Sequence, residues 1–518
     1  MSNDPSIDGL ARSVGFDLPD RYNASRLLWD NLEDRSARPA VISDRATLSY
    51  WDLAGEASQI GNALLGAGLA PGDRVLLFMD DEPAYPAAII GALRAGLVPM
   101  LINTLSNTDL LRFYLEDSGA MAVIVSEPHA SLFGPEVLSG TACGSMMIAN
   151  SEPPWRTESS DLDEAPTQRE DMAFWMYSSG STGRPKGVVH RHEDAAYTAI
   201  TYANSVLKLT PDDVCFSVPK IFFAYGFGNS VTFPFAAGAA SVLMAGRPDP
   251  PAVFEQIKRH RPTVFFGLPT LYTALARHPS SESADLSSVR SCISAAEILS
   301  ADIADAWRAR FGHHIVEGLG STEVLHIYLS NTSEWRKTGS AGVAVPGYAI
   351  RLMGSDDGPV AEDEEGIMEV LGLSSARQYW NRPDKTEETM RDGWIRTGDR
   401  FVRDEDGFYF FKGRADDLVK VSGQWVYPLE IEIAINEHEA VHESCVLAVQ
   451  LPDERMTIRA WVVLKSGVAK NDTVVRSIQD HAKTSLLPHK YPRDVIFVAE
   501  LPKTGTGKID RQRMQTNG

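Results

Sequence analysis

Cysteine is scarce: Cys143, Cys215, Cys292 and Cys445 are the four in 518 residues, and no two stand in a C-x-x-C spacing. That scatter argues against a disulfide framework or a zinc ribbon and leaves buried thiols of a reducing compartment as the expectation. Long apolar runs are missing too. The most apolar stretch, residues 87–102, is interrupted by Arg94 and Pro99 and falls short of the ~18–20 residues a membrane span requires. Positive charge is in deficit, with a formal net charge of −20, which argues against nucleic acid or an anionic membrane as the main partner. The polar, acidic start Met1-Ser2-Asn3-Asp4 has neither the basic nor the apolar region of a signal peptide, so a cytoplasmic protein is expected. No repeat of fixed period and no long low-complexity tract is visible.

What is present is ordinary globular material, 43% hydrophobic and 23% charged. At this length more than one domain is expected, because single cores seldom grow past ~250–300 residues. Short β-rich runs at 74–79, 121–126, 213–218, 240–245, 263–267 and 314–317 alternate with helical patterns at 87–95, 251–259 and 301–311. Such alternation predicts an α/β fold with parallel-rich sheets covered by helices on both faces. Residues 151–171 are polar and Pro-bearing and read as a loop. The character changes near 415: helical patterns at 428–437 and 474–485 flank strand-like runs at 444–450 and 458–464. We therefore expect a large N-terminal domain, 1–415, and a small mobile α+β domain, 416–518, with a hinge at Asp416.

The most informative segment runs Tyr177-Ser178-Ser179-Gly180-Ser181-Thr182-Gly183-Arg184-Pro185-Lys186-Gly187. Its glycines let backbone N–H groups close on a polyphosphate, while the hydroxyls and Lys186 add donors and charge. It is not a Walker loop, since Pro185 and Gly187 stand where that pattern needs Gly and Ser or Thr. Ser/Gly-rich tracts are more often plain surface loops; this one follows the strand-like Phe174-Trp175-Met176-Tyr177, the setting in which phosphate cradles occur.

Three further segments agree with it. Glu317-Gly318-Leu319-Gly320-Ser321-Thr322-Glu323 starts at a strand end, where Thr322 is suited to a phosphate oxygen and Glu323 to Mg. Trp394-Ile395-Arg396-Thr397-Gly398-Asp399, with Arg414 following, offers a carboxylate for ribose hydroxyls. Pro502-Lys503-Thr504-Gly505-Thr506-Gly507-Lys508 would present Lys508 on a mobile loop. Singly, each is more often a helix cap, a turn or solvated surface. All four in one chain, in this order, are improbable as accidents.

On these motifs the chain resembles, from about residue 24 to Lys508, the acyl- and aryl-CoA synthetases, luciferases and adenylation domains that form acyl-adenylates. The segments Lys220-Ile221-Phe222-Phe223-Ala224-Tyr225-Gly226 and Gly318 to Ile327 are most similar to benzoate and hydroxybenzoate-CoA ligases. The resemblance implies ATP, Mg and coenzyme A, an aromatic carboxylate substrate, and an aryl-adenylate intermediate. It assigns Lys508, Thr182, Lys186 and Glu323 to catalysis, with Glu323 holding the metal. It assigns ATP and AMP to Ser178, Ser179, Gly180, Ser181, Thr182, Gly183, Lys186, Ala296, Glu297, Glu317, Gly318, Leu319, Gly320, Ser321, Thr322, Asp399, Arg414 and Lys508. Phe223, Ala224, Tyr225, Gly320, His326 and Ile327 would line the aryl pocket, Gly320 keeping one side open. Lys420, Ser422 and Gly423 would meet coenzyme A once the small domain has swung about Asp416.

Leu319 stands where many relatives carry an aromatic or different residue, a departure from the family pattern that bears on the adenine contacts. Packing alone would account for Ala224, Gly320 and Ile327, and His326 reads equally as a core histidine. His190-Arg191-His192 has the look of a metal pair, but His-x-His by itself is weak. Three functions stay open: an aryl-CoA ligase, a stand-alone enzyme loading an aryl group onto a carrier protein, and a non-catalytic binder of adenylates or fatty acids. With no carrier module after Lys508, the first is favoured. Benzoate, a hydroxybenzoate, an aminobenzoate and a heteroaromatic acid are all compatible with this reading, as is a homodimer.

Overall fold

The computed structural model describes residues 5–178, 184–297, 299–415, 419–421, 424–426, 428–450, 456–486, 490–503 and 509–516. The expected residues 179–183, Asp416, Ser422, Gly423 and Lys508, and the side chain of Lys420, lie outside the described part. The chain divides into two compact units: Met1–Arg351 with Glu369–Arg396 and Asp406–Tyr409, and Leu352–Met368 with Thr397–Glu405 and Phe410–Gly518.

The first unit is built on two sheets. In the seven-stranded sheet, Arg74–Phe78, Val98–Leu101, Ala122–Ser126, Ser145–Ala149 and Met172–Ser178 run parallel. Lys186–Arg191 and the two-residue strand Gln378–Tyr379 extend it antiparallel. Side chains alternate along Arg74–Phe78. Val75 and Leu77 pack with Leu53, Ile60, Ile89 and Leu93 of helices Tyr50–Gly66 and Ala84–Arg94, whereas Leu76 and Phe78 pack with Leu111 and Leu115 of helix Thr108–Ser118. Both faces are buried, which is why the run is continuously apolar.

The nine-stranded sheet has a parallel centre of Ala240–Val242, Val214–Ser217, Val264–Gly267, Ser291–Ser294 and Ile315–Gly320. Phe216, Val242, Phe265 and Cys292 pack there against Val253, Ile257, Tyr272 and Trp307 of helices Pro250–His260, Pro269–Arg277 and Ala301–Phe311. The last of these helices is started by the Ser300 hydroxyl, which accepts from Ile303 N–H, and ends at Gly312 with φ +75°. Cys215, Cys292 and Cys445 are buried thiols; Cys143 is a partly exposed one.

In the second unit, Val441–Gln450 pairs antiparallel with Met456–Leu464, which pairs parallel with Asp494–Val498. Helices Pro428–Asn436 and Asp472–Ser485 cover this sheet through Ile431, Ile435, Val446, Val462 and Ile478. Arg511, opening helix Arg511–Thr516, donates to Glu432 at 2.6 Å and to the Val446 carbonyl at 3.2 Å. The alternation read from sequence is the one observed. The antiparallel additions, among them Gln378–Tyr379 and Ile327–Ser330, carried no such signal. Among the described residues no helix is long and apolar enough to cross a membrane.

Candidate active site

The Ser/Gly-rich segment joins two antiparallel strands, with Tyr177 opposite Gly187 and Ser178 opposite Lys186. Its base is pinned from below. The Tyr177 phenol donates to Asp117 at 2.9 Å, and Arg382 holds the other oxygen of that carboxylate at 3.2 Å. Burial, then the Asp117 charge, push the Tyr177 hydroxyl well up from its ordinary range, so it stays a neutral donor. Lys186 thus leaves the hairpin from a fixed backbone position.

Lys186 and Glu323 meet at one residue that sequence reading did not select. The Lys186 ammonium lies 4.1 Å from the centroid of the Tyr379 ring, and the Tyr379 phenol donates to Glu323 Oε1 at 2.9 Å. The Glu323 backbone is also held, its carbonyl accepting from Ala376 N–H at 2.8 Å.

The preceding residue is tied to the hairpin strand. His190, fully buried, has Nδ1 3.0 Å from Asp194 Oδ2 and Nε2 2.8 Å from the Thr322 carbonyl oxygen. His192 faces elsewhere: its Nδ1 accepts from Ala24 N–H at 3.0 Å, and burial pushes its pKa down to about 4. The two histidines diverge because the strand ends at Arg191 and a helix, His192–Thr198, begins. They do not form a metal pair.

The segments expected to meet adenylate lie together at the carboxyl ends of neighbouring parallel strands. Ser294 pairs with Glu317, and the chain then turns through Ala295 to Ala296 at φ +74° and on to Glu297. Glu317 Oε1 accepts from Leu299 N–H at 3.1 Å; burial nonetheless pushes its pKa up to about 8. Gly318, Leu319 and Gly320 continue the strand, paired antiparallel with Ser330, Leu329 and Ile327. The Ser321 hydroxyl accepts from Val324 N–H at 3.2 Å.

Of the residues expected to line an aryl pocket, Tyr225, His326 and Ile327 lie beside this turn. Tyr225 donates to the Ile293 carbonyl at 3.3 Å, and its ring centroid lies 5.6 Å from that of His326. His326 is buried among Tyr202, Tyr225 and Phe233, with Nε2 donating to the Tyr225 carbonyl at 3.4 Å. Burial pushes its pKa down to about 3, so the ring is neutral, and Nδ1 has no hydrogen-bond partner among the described residues. Phe223 precedes the short helix Ala224–Phe227, in which Ala224 is buried. A Cβ at Gly226 would lie 2.0 Å from the Lys220 carbonyl oxygen, so only glycine fits this turn. A Cβ at Gly320 would meet the His326 carbonyl oxygen at 2.5 Å, so the close strand pairing by itself calls for glycine there.

In the second unit Arg414 donates to Asp399 at 3.3 Å, and Gly398, at φ +75°, places a would-be Cβ 3.2 Å from the Arg414 guanidinium. Asp399 and Arg414 therefore form a pair. Among the described residues no cluster of three or more His, Cys, Asp or Glu is arranged to hold a metal ion. Glu323 offers a hard carboxylate of the type magnesium takes together with phosphate oxygens and water, and its chemistry fits that ion.

Comparison with known proteins agrees with these motifs. The AMP-binding enzyme model matches residues 28–380, and the model for the AMP-binding enzyme C-terminal domain matches 430–508. A benzoate–CoA ligase of Thauera aromatica is 40% identical over 96% of this chain and 97% of its own. The structure of a benzoate CoA ligase from Burkholderia xenovorans LB400 superposes with a TM-score of 0.89 at 38% identity, covering 95% of this chain and 100% of that one. The anthranilate CoA ligase AuaEII, in complex with anthranoyl-AMP, superposes with a TM-score of 0.91 at 33% identity, covering 97% and 98%. With both models matched and relatives aligned over nearly its whole length, this chain belongs to the AMP-binding enzyme family.

Proposed function

We infer that this protein is an ATP-dependent, AMP-forming aryl-CoA ligase that converts benzoate or a substituted benzoate to its coenzyme A thioester. The observation that carries this reading is the meeting of Tyr225, His326 and Ile327 with the Glu317–Thr322 turn. It brings the Tyr225 ring and the neutral His326 ring beside the segment suited to AMP.

In the first step a carboxylate oxygen attacks the α-phosphorus of ATP, and the bond to the bridging α–β oxygen breaks, releasing pyrophosphate. Two anions must approach, so cationic groups are the main requirement. Lys508 would bridge the carboxylate and the α-phosphate. Lys186, Thr182 and the amides of residues 178–183 would hold the leaving pyrophosphate. Magnesium, when bound, balances polyphosphate charge, and Glu323 is the residue to hold it. Ala296, Glu297, Glu317 and Leu319 would surround adenine, while Asp399 and Arg414 fix the ribose.

In the second step the coenzyme A sulfur, having lost its proton, attacks the acyl carbon and the C–O bond to AMP breaks. Lys420, Ser422 and Gly423 would meet the pantetheine arm after rotation about Asp416, with 1–415 and 416–518 as the moving bodies. A cytoplasmic location, with no nucleic acid or membrane partner, belongs to the same reading, and a homodimer is compatible with it.

The test is a panel of substituted benzoates assayed for AMP release with and without coenzyme A. Thioester formation with at least one of them is expected. AMP release only in the presence of an aryl carrier protein, or with no benzoate at all, overturns the reading.

A further inference from the structure

Tyr379 stands between the two charged side chains assigned to phosphate and metal, yet it belongs to neither motif. It lies 56 residues beyond Glu323 in sequence and reaches the site through its two-residue strand, in which Tyr379 pairs with Val188. That placement is rigid. Tyr379 N–H donates to the Thr386 hydroxyl at 3.0 Å, and its side chain, 3% exposed, packs with Val188 and Ala376. The ring is therefore a fixed plate with the Lys186 ammonium on its face and the Glu323 carboxylate at its hydroxyl.

Each contact has a physical consequence for the step proposed above. A phenol donating to a carboxylate is a charge-assisted hydrogen bond, which fixes one carboxylate oxygen and so orients the other. An ammonium on a ring face is drawn to the ring's negative π cloud, which holds it at a fixed place on the plate. Both groups act on the same polyphosphate, and their separation must match it. A side chain that touches both at once sets that separation through its own length.

We propose that Tyr379 is a positioning residue for adenylate formation: its hydroxyl orients the Glu323 carboxylate and its ring face seats the Lys186 ammonium, which fixes the spacing between the metal-binding and pyrophosphate-binding groups. This rests on the aryl-CoA ligase reading. Tyr379 makes or breaks no bond in the reaction.

The experiment separates the two contacts. Y379F keeps the ring under Lys186 and removes the bond to Glu323; Y379L removes both. Pyrophosphate release from ATP and the preferred benzoate is measured for each variant alone and combined with Glu323→Gln, with melting curves as a check of folding. For Y379F, kcat is expected to fall about ten- to hundred-fold, the range for losing a hydrogen bond to a charged group, with KM for the benzoate unchanged. Y379L is expected to lose a further several-fold. In the Glu323→Gln background Y379F should cost less than about two-fold, because the partner it acts through has already changed. Either variant that keeps the wild-type melting transition carries the cycle. A Y379F enzyme within about two-fold of wild type, or an equal loss in both backgrounds, overturns the proposal. A wild-type chain that makes no aryl-AMP overturns the functional reading instead, and is distinguished by that control.

Discussion

His190 bridges two oxygen atoms through its two ring nitrogens: Nδ1 lies 3.0 Å from Asp194 Oδ2 and Nε2 2.8 Å from the Thr322 carbonyl oxygen. The bond to Thr322 ties a strand of the seven-stranded sheet to the turn that follows Gly320 in the nine-stranded one. His190→Leu would remove one partner of the buried Asp194 carboxylate, leaving it the Arg191 guanidinium at 2.9 Å and the Arg191 N–H at 3.1 Å, and free the Thr322 peptide. A loss of ~2–4 kcal/mol is expected, read as a lower denaturation midpoint, together with a raised KM for ATP. Retention of wild-type stability and KM would show that the link is dispensable.

The two half-reactions should separate by residue. Lys508→Ala is expected to slow aryl-AMP formation by at least about a hundred-fold, as removal of one preorganised electrostatic stabiliser does elsewhere, while thioester formation from supplied aryl-AMP survives. Gly423→Leu should do the reverse. Stopped assays of each half-reaction check this, and equal loss of both in either variant contradicts alternate use of the two segments.

Glu317 gives a pH dependence of definite sign. Its folded pKa is raised to about 8 against an ordinary 4.5, so the folded protein holds a proton that the unfolded chain has released. Stability from this group is complete below about pH 4.5 and falls as pH rises toward 8. His326 and His192, pushed down to about 3 and 4, act oppositely, and their effect is confined to pH below about 6.5. Denaturation midpoints between pH 6.5 and 8 should therefore decline in the wild type and decline less in Glu317→Gln. Parallel slopes would exclude Glu317 as the source.

Gly226→Ala places a methyl group against backbone rather than a movable side chain. The expected cost is ~1–3 kcal/mol or more, with residues 219–225 displaced. Because that segment carries Phe223, Ala224 and Tyr225, KM for the benzoate should rise more than KM for ATP. An unchanged ratio of the two would detach the turn from the acid-binding site.

The α/β architecture could be read from the chain because strands buried on both faces, such as Val264–Gly267, are written as short unbroken apolar runs. The Ser/Gly-rich segment before Lys186 stood out through local composition. Tyr379 and His190 did not, because their importance lies in contacts 56 and 132 residues away, and nothing in the flanking sequence encodes the partner. Gly320 has a reason to be glycine that the sequence hides in the same way. A glycine beside a pocket and a glycine crossed closely by another strand look the same until the pairing with Ile327 is known. Likewise His190 and His192 share the spacing of a metal pair, and only the switch from strand to helix between them sends the rings apart.

The strand Arg74–Phe78 packs alternate side chains into two different cores, so it has no permissive side. A saturation scan across Val75, Leu76, Leu77 and Phe78 should show uniform intolerance to polar replacement, with none of the every-other-residue rhythm of a half-wet strand. Asp494–Val498, where Ile496 reaches solvent, should keep that rhythm. The contrast makes natural variability along the first strand a poor place to look for function and any drift in it a sign of compensating change on the helices that cover it.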